Sequence, residues 1–223
     1  MSVITLVRHG QASFGCKNYD QLSALGKQQS VWLGEHWQQL DRRFDHVITG
    51  NMHRHHQTAS GILQGLADDA LPEPLEGLNE YNFEGLLTPL KQQHPGDWID
   101  TGRPRKDYYY NMKHALDYWA RGTIEDDGTD SWSSFNQRVT DSFHRICDGE
   151  HKKPLIVSSG GVIATIISAL LGLRPAQAIE LSLQIKNTAV STFLYNGKDF
   201  SLTSFNDLSH LLSPDKQSHI TYS

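Results

Sequence analysis

The first apolar run, VITLV at residues 3–7, does not alternate with polar residues, which is the pattern of a strand covered on both faces of a sheet. It stops at RHGQASFG, a polar loop carrying glycine. Leu25, Val31, Leu33 and Trp37 then recur among amides and charges, predicting a helix that opens near Ser23. FDHVITG reads as a second short strand, and NMHRHHQTASGILQGL begins polar and becomes an amphipathic helix. Strand, loop and helix in repetition predict a mostly parallel sheet between helical layers, a three-layer α/β/α arrangement.

Between about residues 71 and 131 the pattern breaks. Pro72, Pro74 and Pro89, then HPGDW, GRPRKDYYY and the acidic turn IEDDGTD, read as an insertion over the sheet, helical around Met112–Ala120. SSFNQRVTDSFHRICDG resumes a helix, with Phe135, Val139, Phe143 and Ile146 on one face. KPLIVSSGGVIATIISALLG is a buried strand, a glycine-rich turn and a helix, and TAVSTFLYNGKDFSLTSFND is a hairpin turning at Asn196–Gly197. The expectation is one domain over residues 1–223.

Composition changes this picture little. With 38% hydrophobic and 20% charged residues, the chain of 223 residues has ordinary material for a core. A net charge of −5 argues against a nucleic-acid or anionic-membrane partner held by bulk electrostatics. The apolar run Leu155–Leu173 has nearly a membrane helix's length, but SSGG interrupts it. The N-terminal apolar stretch is too short for a signal peptide. Cys16 and Cys147 make no disulfide framework, so two free thiols and a cytoplasmic location are expected. Nothing in the pattern sets an oligomeric state.

In open parallel sheets, ligands bind outside the carboxyl ends of the strands. Here those ends carry RHG, GNMHRHHQTA and SSGG. They bring together Arg8, His9, Arg54, further histidines and free backbone N–H groups at a helix start. Arginines bind phosphate in bidentate fashion and stay charged, a helix N-terminus adds donors, and a neutral imidazole accepts a phosphoryl group. HRHH also invites a metal reading, but no aspartate follows at ligand spacing, so no metal is implied.

These residues carry a resemblance. LVRHGQ, RHHQTA, the segment LNEYNFEG and SSGG resemble, in order, the motifs of the histidine phosphatase superfamily, also called phosphoglycerate mutase-like. LSALGKQQ matches that family's first helix as well. The resemblance implies a phosphohistidine on His9, with Arg8 and Arg54 clamping the phosphoryl oxygens. Glu80 is implied as the acid that protonates the leaving oxygen and then as the base that activates water, with Glu84 as the rival carboxylate. Gln11, Ser159 and Gly160 complete the implied phosphate site. No cofactor is implied, and the partner is a small-molecule phosphoester.

The departure from the family pattern is Ser159, which stands where a second histidine is expected. Removing one transition-state donor costs about 10²–10³ in rate, so a phosphatase with reduced activity is the leading expectation. His53, His55, His56 and His210 are the histidines that could fill the place; otherwise Ser159→His should raise activity. The alternatives are a phosphate-binding regulatory module without turnover, motivated by Ser159, and mutase-type transfer to a second hydroxyl. Against a mutase, the segment after RHGQ lacks the Asn- and Trp-bearing stretch typical of mutases, and the insertion reads as shorter. DYYY with Arg103, Arg105 and Lys106 is either a recognition patch over the cleft or a plain insertion surface. His210 is expected at the pocket rim.

Overall fold

The computed structural model describes residues 1–13, 20–124 and 130–222. Cys16, the end of the RHGQASFG loop and most of the acidic turn therefore lie outside the described residues. The sheet has six strands: β1 (Ser2–Arg8), β2 (His46–Thr49), β3 (Glu73–Pro74), β4 (Pro154–Ser158), β5 (Val190–Tyr195) and β6 (Phe200–Asp207). Their spatial order is β3-β2-β4-β1-β5-β6. β1 to β4 run parallel, and the hairpin β5–β6 adds two antiparallel strands at one edge. The fold is a three-layer α/β arrangement, as the repeating strand–loop–helix pattern implies.

Successive side chains of the central strands point to opposite faces, so each strand feeds two cores. Ile4, Leu6, Ile48 and Ile156 join one cluster; Val7, Val47, Leu155 and Val157 join the other. The second cluster is closed by α1 (Ala24–Gln39) and α2 (His53–Leu66) through Leu33, Trp37, Ile62 and Leu66. α1 and α2 touch closely because Gly34 and Gly65 face each other, and a Cβ on Gly34 would meet Ile62 O at 2.1 Å. Ser23 caps α1, its side chain accepting from the Gly26 N–H.

The insertion is more helical than its prolines imply. α3 (Phe83–Gln93) contains Pro89, and α4 runs over Pro104–Ala120 with Pro104 at its start, where a missing N–H costs nothing. Its helices pack Leu86, Leu90, Met112, Leu116 and Trp119 into the first cluster. Tertiary burial outweighs the local breaking signal at Pro89. The segment also begins inside the sheet, since Glu73–Pro74 pairs with β2 as the edge strand. A further helix, α7 (Pro175–Gln184), was not apparent in the sequence pattern; α5 (Trp132–Cys147) and α6 (Gly160–Leu171) fall where the periodicity places them. No helix among the described residues is long and apolar enough to cross a membrane.

Candidate active site

The parallel register brings the chemistry together. Arg8 pairs with Ser158 and Thr49 with Val157, so β1, β2 and β4 end within one residue of each other. The next residues, His9, Gly50 and Ser159, follow there, and His9 N–H donates to Ser158 O at 2.8 Å. Beside them opens a cleft of about 290 Å³ lined by Arg8, His9, Gln11, Glu80 and Gly160, among others. Arg54 and Ser159, both buried, are within 3.5 Å of each other, Nη2 of the arginine donating to the hydroxyl.

His9 is buried, and its Nδ1 lies 2.7 Å from its neighbour's carbonyl, Gly10 O. A carbonyl only accepts, so Nδ1 carries the proton and Nε2 keeps the lone pair. Burial, then the positive charges of Arg54 and Arg8, hold the imidazole well below its ordinary pKa, against the pull of the Gly10 carbonyl. The ring is thus neutral at neutral pH, a form able to act as a nucleophile. Its backbone is pinned as well: Gly10 N–H donates to Thr58 Oγ1, and Asn187 Nδ2 donates to His9 O at 3.1 Å. Gly10 admits no side chain, since a Cβ there would stand 2.3 Å from Gly26 O.

Both arginines are oriented before any ligand arrives. Arg8 Nη1 donates to Ile185 O. Arg54 Nη1 forms an ion pair with Asp20 at 2.8 Å, and the same carboxylate accepts from the His53 N–H at the start of α2. Gln11 accepts from Ser23 Oγ through its side chain and donates its N–H to Gln29 Oε1.

Glu80 reaches the cleft from the insertion. Its Oε2 accepts the Gly161 N–H at 2.9 Å, and its Oε1 accepts from the Tyr81 N–H. Burial pushes the carboxyl pKa up, opposed by the Gly161 N–H, Arg54, the Tyr81 N–H and Arg8. A Cβ on Gly161 would stand 2.3 Å from Glu80 Oε1, so glycine makes room for the acid. Two side chains hold this loop, Ser158 from the SSGG motif and Arg138 from outside any motif. Ser158 Oγ donates to Leu78 O at 2.7 Å. Arg138 Nη1 donates to Gly77 O and Asn79 O at 3.0 Å each, while its Nη2 pairs with Asp130 at 2.6 Å. No local pattern marks Arg138, because its partners are backbone carbonyls about sixty positions away. Glu84, the rival carboxylate, is exposed on α3.

The other expected residues sort clearly. Arg105, Tyr108 and Tyr109 line the cleft with Tyr81, Phe83 and Met112, so part of the GRPRKDYYY segment faces the site. Arg103 instead binds Thr101 through its side chain. His210 is not at the rim: it is buried, 2.9 Å from Thr188 Oγ1, and burial pushes its pKa down to about 3. His53 is exposed, and half-buried His56 lies 3.3 Å from Thr49 Oγ1. His55 is different. It is fully buried, and its Nε2 is 2.7 Å from Ser159 Oγ. The C-terminal residues Ile220, Thr221 and Tyr222 form another wall that the sequence did not reveal, tied back by Gln29 to Thr221 and by Tyr109 to Tyr222.

Comparison with known proteins bears on the family and the fold. The profile of the histidine phosphatase superfamily (branch 1) matches residues 4–208. The chain belongs to that superfamily. It is 25% identical over 232 residues to the Probable phosphoglycerate mutase GpmB of Salmonella choleraesuis, covering 96% of this chain and 97% of that protein. Among solved structures, the phosphoserine phosphatase of Entamoeba histolytica in complex with 3-phosphoglyceric acid superposes with a TM-score of 0.66. That pair is 26% identical, over 95% of this chain and 100% of the other. A mycobacterial glucosyl-3-phosphoglycerate phosphatase shares the fold at a TM-score of 0.66 and 19% identity, over 92% of this chain and 99% of its own.

Proposed function

We propose that the protein hydrolyses small phosphomonoesters through a phosphohistidine on His9, without a metal. The observation that carries this reading is the pairing of a neutral, Nδ1-anchored His9 with a buried Glu80 whose pKa is raised, both on one cleft. Environments that push two titratable groups apart in this way assign a nucleophile and an acid. In the first step His9 Nε2 attacks phosphorus, the P–O bond to the alcohol breaks, and the Glu80 proton passes to the leaving oxygen. In the second, the Glu80 carboxylate takes a proton from water, the resulting hydroxide attacks phosphorus, and the P–N bond breaks to release phosphate and neutral His9. Arg8 and Arg54 supply the fixed positive charge that stabilises the phosphoryl group in both transition states. Gln11 and Gly160 complete the phosphate cradle, Gly160 at the N-terminus of α6.

The walls beyond the phosphate site favour substrates with an apolar or aromatic body. Tyr81, Phe83, Tyr108, Tyr109, Met112 and Tyr222 face that space, with Arg105 available to a second anionic group. The relatives' names include both phosphatases and a mutase. Transfer to water rather than to a second hydroxyl is the reading favoured here, on the absence of the mutase-type stretch after RHGQ.

The test is phosphate release from a panel containing p-nitrophenyl phosphate, phosphotyrosine, phosphoserine and 3-phosphoglycerate, with EDTA present and His9→Ala alongside. Turnover that survives EDTA and disappears in His9→Ala is expected. Turnover abolished by EDTA would overturn metal independence. Interconversion of phosphoglycerates without phosphate release would establish the mutase instead. Phosphate binding without turnover in the wild-type protein would leave the non-catalytic module.

A further inference from the structure

His55 is an unusual histidine even for a buried one. It follows Arg54 in the first turn of α2, is fully buried, and points at the end of β4. Its Nε2 stands 2.7 Å from Ser159 Oγ, and its ring centroid is 5.8 Å from that of His9. The same hydroxyl is 3.5 Å from Arg54 Nη2. Ser159 is therefore the meeting point of an arginine and an imidazole, one residue beyond the level where His9 leaves β1.

The surroundings make room for this ring. Gly50, at the end of β2, backs it directly: a Cβ on Gly50 would stand 2.4 Å from His55 Nδ1 and 2.7 Å from Leu78 O. Nδ1 faces the Gly50 backbone without a well-formed hydrogen bond. A histidine that served only the core would bond both ring nitrogens, because a buried polar atom without a partner is costly. Here Nδ1 has only a poorly formed contact with the Gly50 carbonyl, while Nε2 is spent on the Ser159 hydroxyl.

We propose that His55 supplies the second imidazole of the phosphate site, delivered from α2 through Ser159 rather than from the turn after β4. His55 is a positioning residue and Ser159 Oγ is the group that meets the phosphoryl oxygen. In the free protein the Gly50 carbonyl favours the His55 proton on Nδ1. When phosphate binds, the Nε2–H tautomer donates to Oγ across the 2.7 Å contact, and the hydroxyl proton turns to the phosphoryl oxygen. The pair thus presents a donor backed by a second donor, which a lone serine lacks. The inference rests on the phosphatase reading above. It also revises one expectation: Ser159→His by itself should lower activity, since the 2.7 Å contact leaves no space for a second ring.

The test compares the wild-type protein with His55→Ala, His55→Gln, Ser159→Ala and the double variant His55→Ala/Ser159→Ala on the best panel substrate. His55→Ala and Ser159→Ala are each expected to lower kcat about 10²–10³-fold, with KM changed far less. The double variant should fall no further than the worse single one, because both remove one unit. His55→Gln should recover at least tenfold over His55→Ala, since its amide N–H reaches the same oxygen. Losses that multiply in the double variant, or a His55→Ala protein within threefold of wild type, would overturn the proposal. If thermal unfolding shows that His55→Ala does not fold, His55→Gln with and without Ser159→Ala carries the same comparison. If wild type and His9→Ala are equally inactive, the phosphatase reading fails separately. Orthovanadate affinity then decides: a tenfold loss in His55→Ala or His55→Gln supports the His55 site, and equal affinity overturns it.

Discussion

At the scale of single residues, the proposed mechanism turns on the protonation states of His9 and Glu80. Burial and two guanidinium groups keep His9 neutral well below its ordinary range, while burial raises Glu80 against four opposing contacts. The proposed first step needs neutral His9 and protonated Glu80, so under that proposal kcat/KM should be bell-shaped with its maximum on the acidic side of neutral. The alkaline limb belongs to loss of the Glu80 proton. Glu80→Gln should remove that limb and lower kcat about 10²–10⁴-fold, least for p-nitrophenyl phosphate, whose leaving group needs no acid. A profile for Glu80→Gln superimposable on wild type in rate and shape would show that another group is the acid. Arg8, His9, Arg54 and Glu80 were legible as candidates because each sits in a local motif. His55 was legible only as one of four histidines, because the choice depends on which side chain faces Ser159 across the end of the sheet.

At the scale of elements, the loop that carries Glu80 is held from outside itself. Arg138 on α5 donates to the carbonyls of Gly77 and Asn79 and pairs with Asp130, so one side chain fixes the backbone leading to Glu80. Removing it leaves carbonyls and a carboxylate short of donors, a loss of about 1–3 kcal/mol. Arg138→Met should accordingly lower the urea midpoint and reduce kcat at least tenfold for phosphoserine while leaving KM within a few fold. An Arg138→Met protein with wild-type kcat would mean that the loop holds its shape without the clamp. The elements themselves were largely readable: α1 from its apolar spacing and Ser23 cap, α2 from its amphipathic half, the hairpin from Asn196–Gly197. The insertion was not. Pro89 and Pro104 read as breakers, yet Pro89 sits inside α3 because that helix's apolar face is buried in the first cluster, and Pro104 opens α4, where its missing N–H costs nothing.

At the scale of the whole molecule, three buried imidazoles, His9, His55 and His210, are all held below their ordinary pKa by burial first. The unfolded chain takes up these protons below about pH 6.5 and the native protein does not. The unfolded state therefore binds more protons there, and stability falls as pH falls, by about 1.4 kcal/mol per pH unit for each fully depressed group. Glu80 has the opposite sign, because its raised pKa favours folding at low pH and that contribution fades above about 4.5. Urea unfolding between pH 7.5 and 4.5 should show a steep acid loss. His210→Gln keeps a hydrogen-bonding partner for Thr188 and removes one titration, so its stability should fall less steeply below pH 6.5. Parallel pH slopes for the two proteins would exclude His210 from the effect.

What the sequence by itself determined was local: strand runs, helix periodicity, and motifs whose residue types bind and attack phosphate. Those signals lie within a few positions of one another, where backbone geometry alone relates them. The tertiary structure decided everything that depends on register and on distant neighbours. The parallel pairing of β1, β2 and β4 places His9, Gly50 and Ser159 within one residue of the same level, and only then does His55 meet Ser159 instead of the solvent. Arg138, Asn187 and the C-terminal wall enter the site by the same route, because a hydrogen bond between residues up to nearly two hundred positions apart leaves no periodicity in the chain.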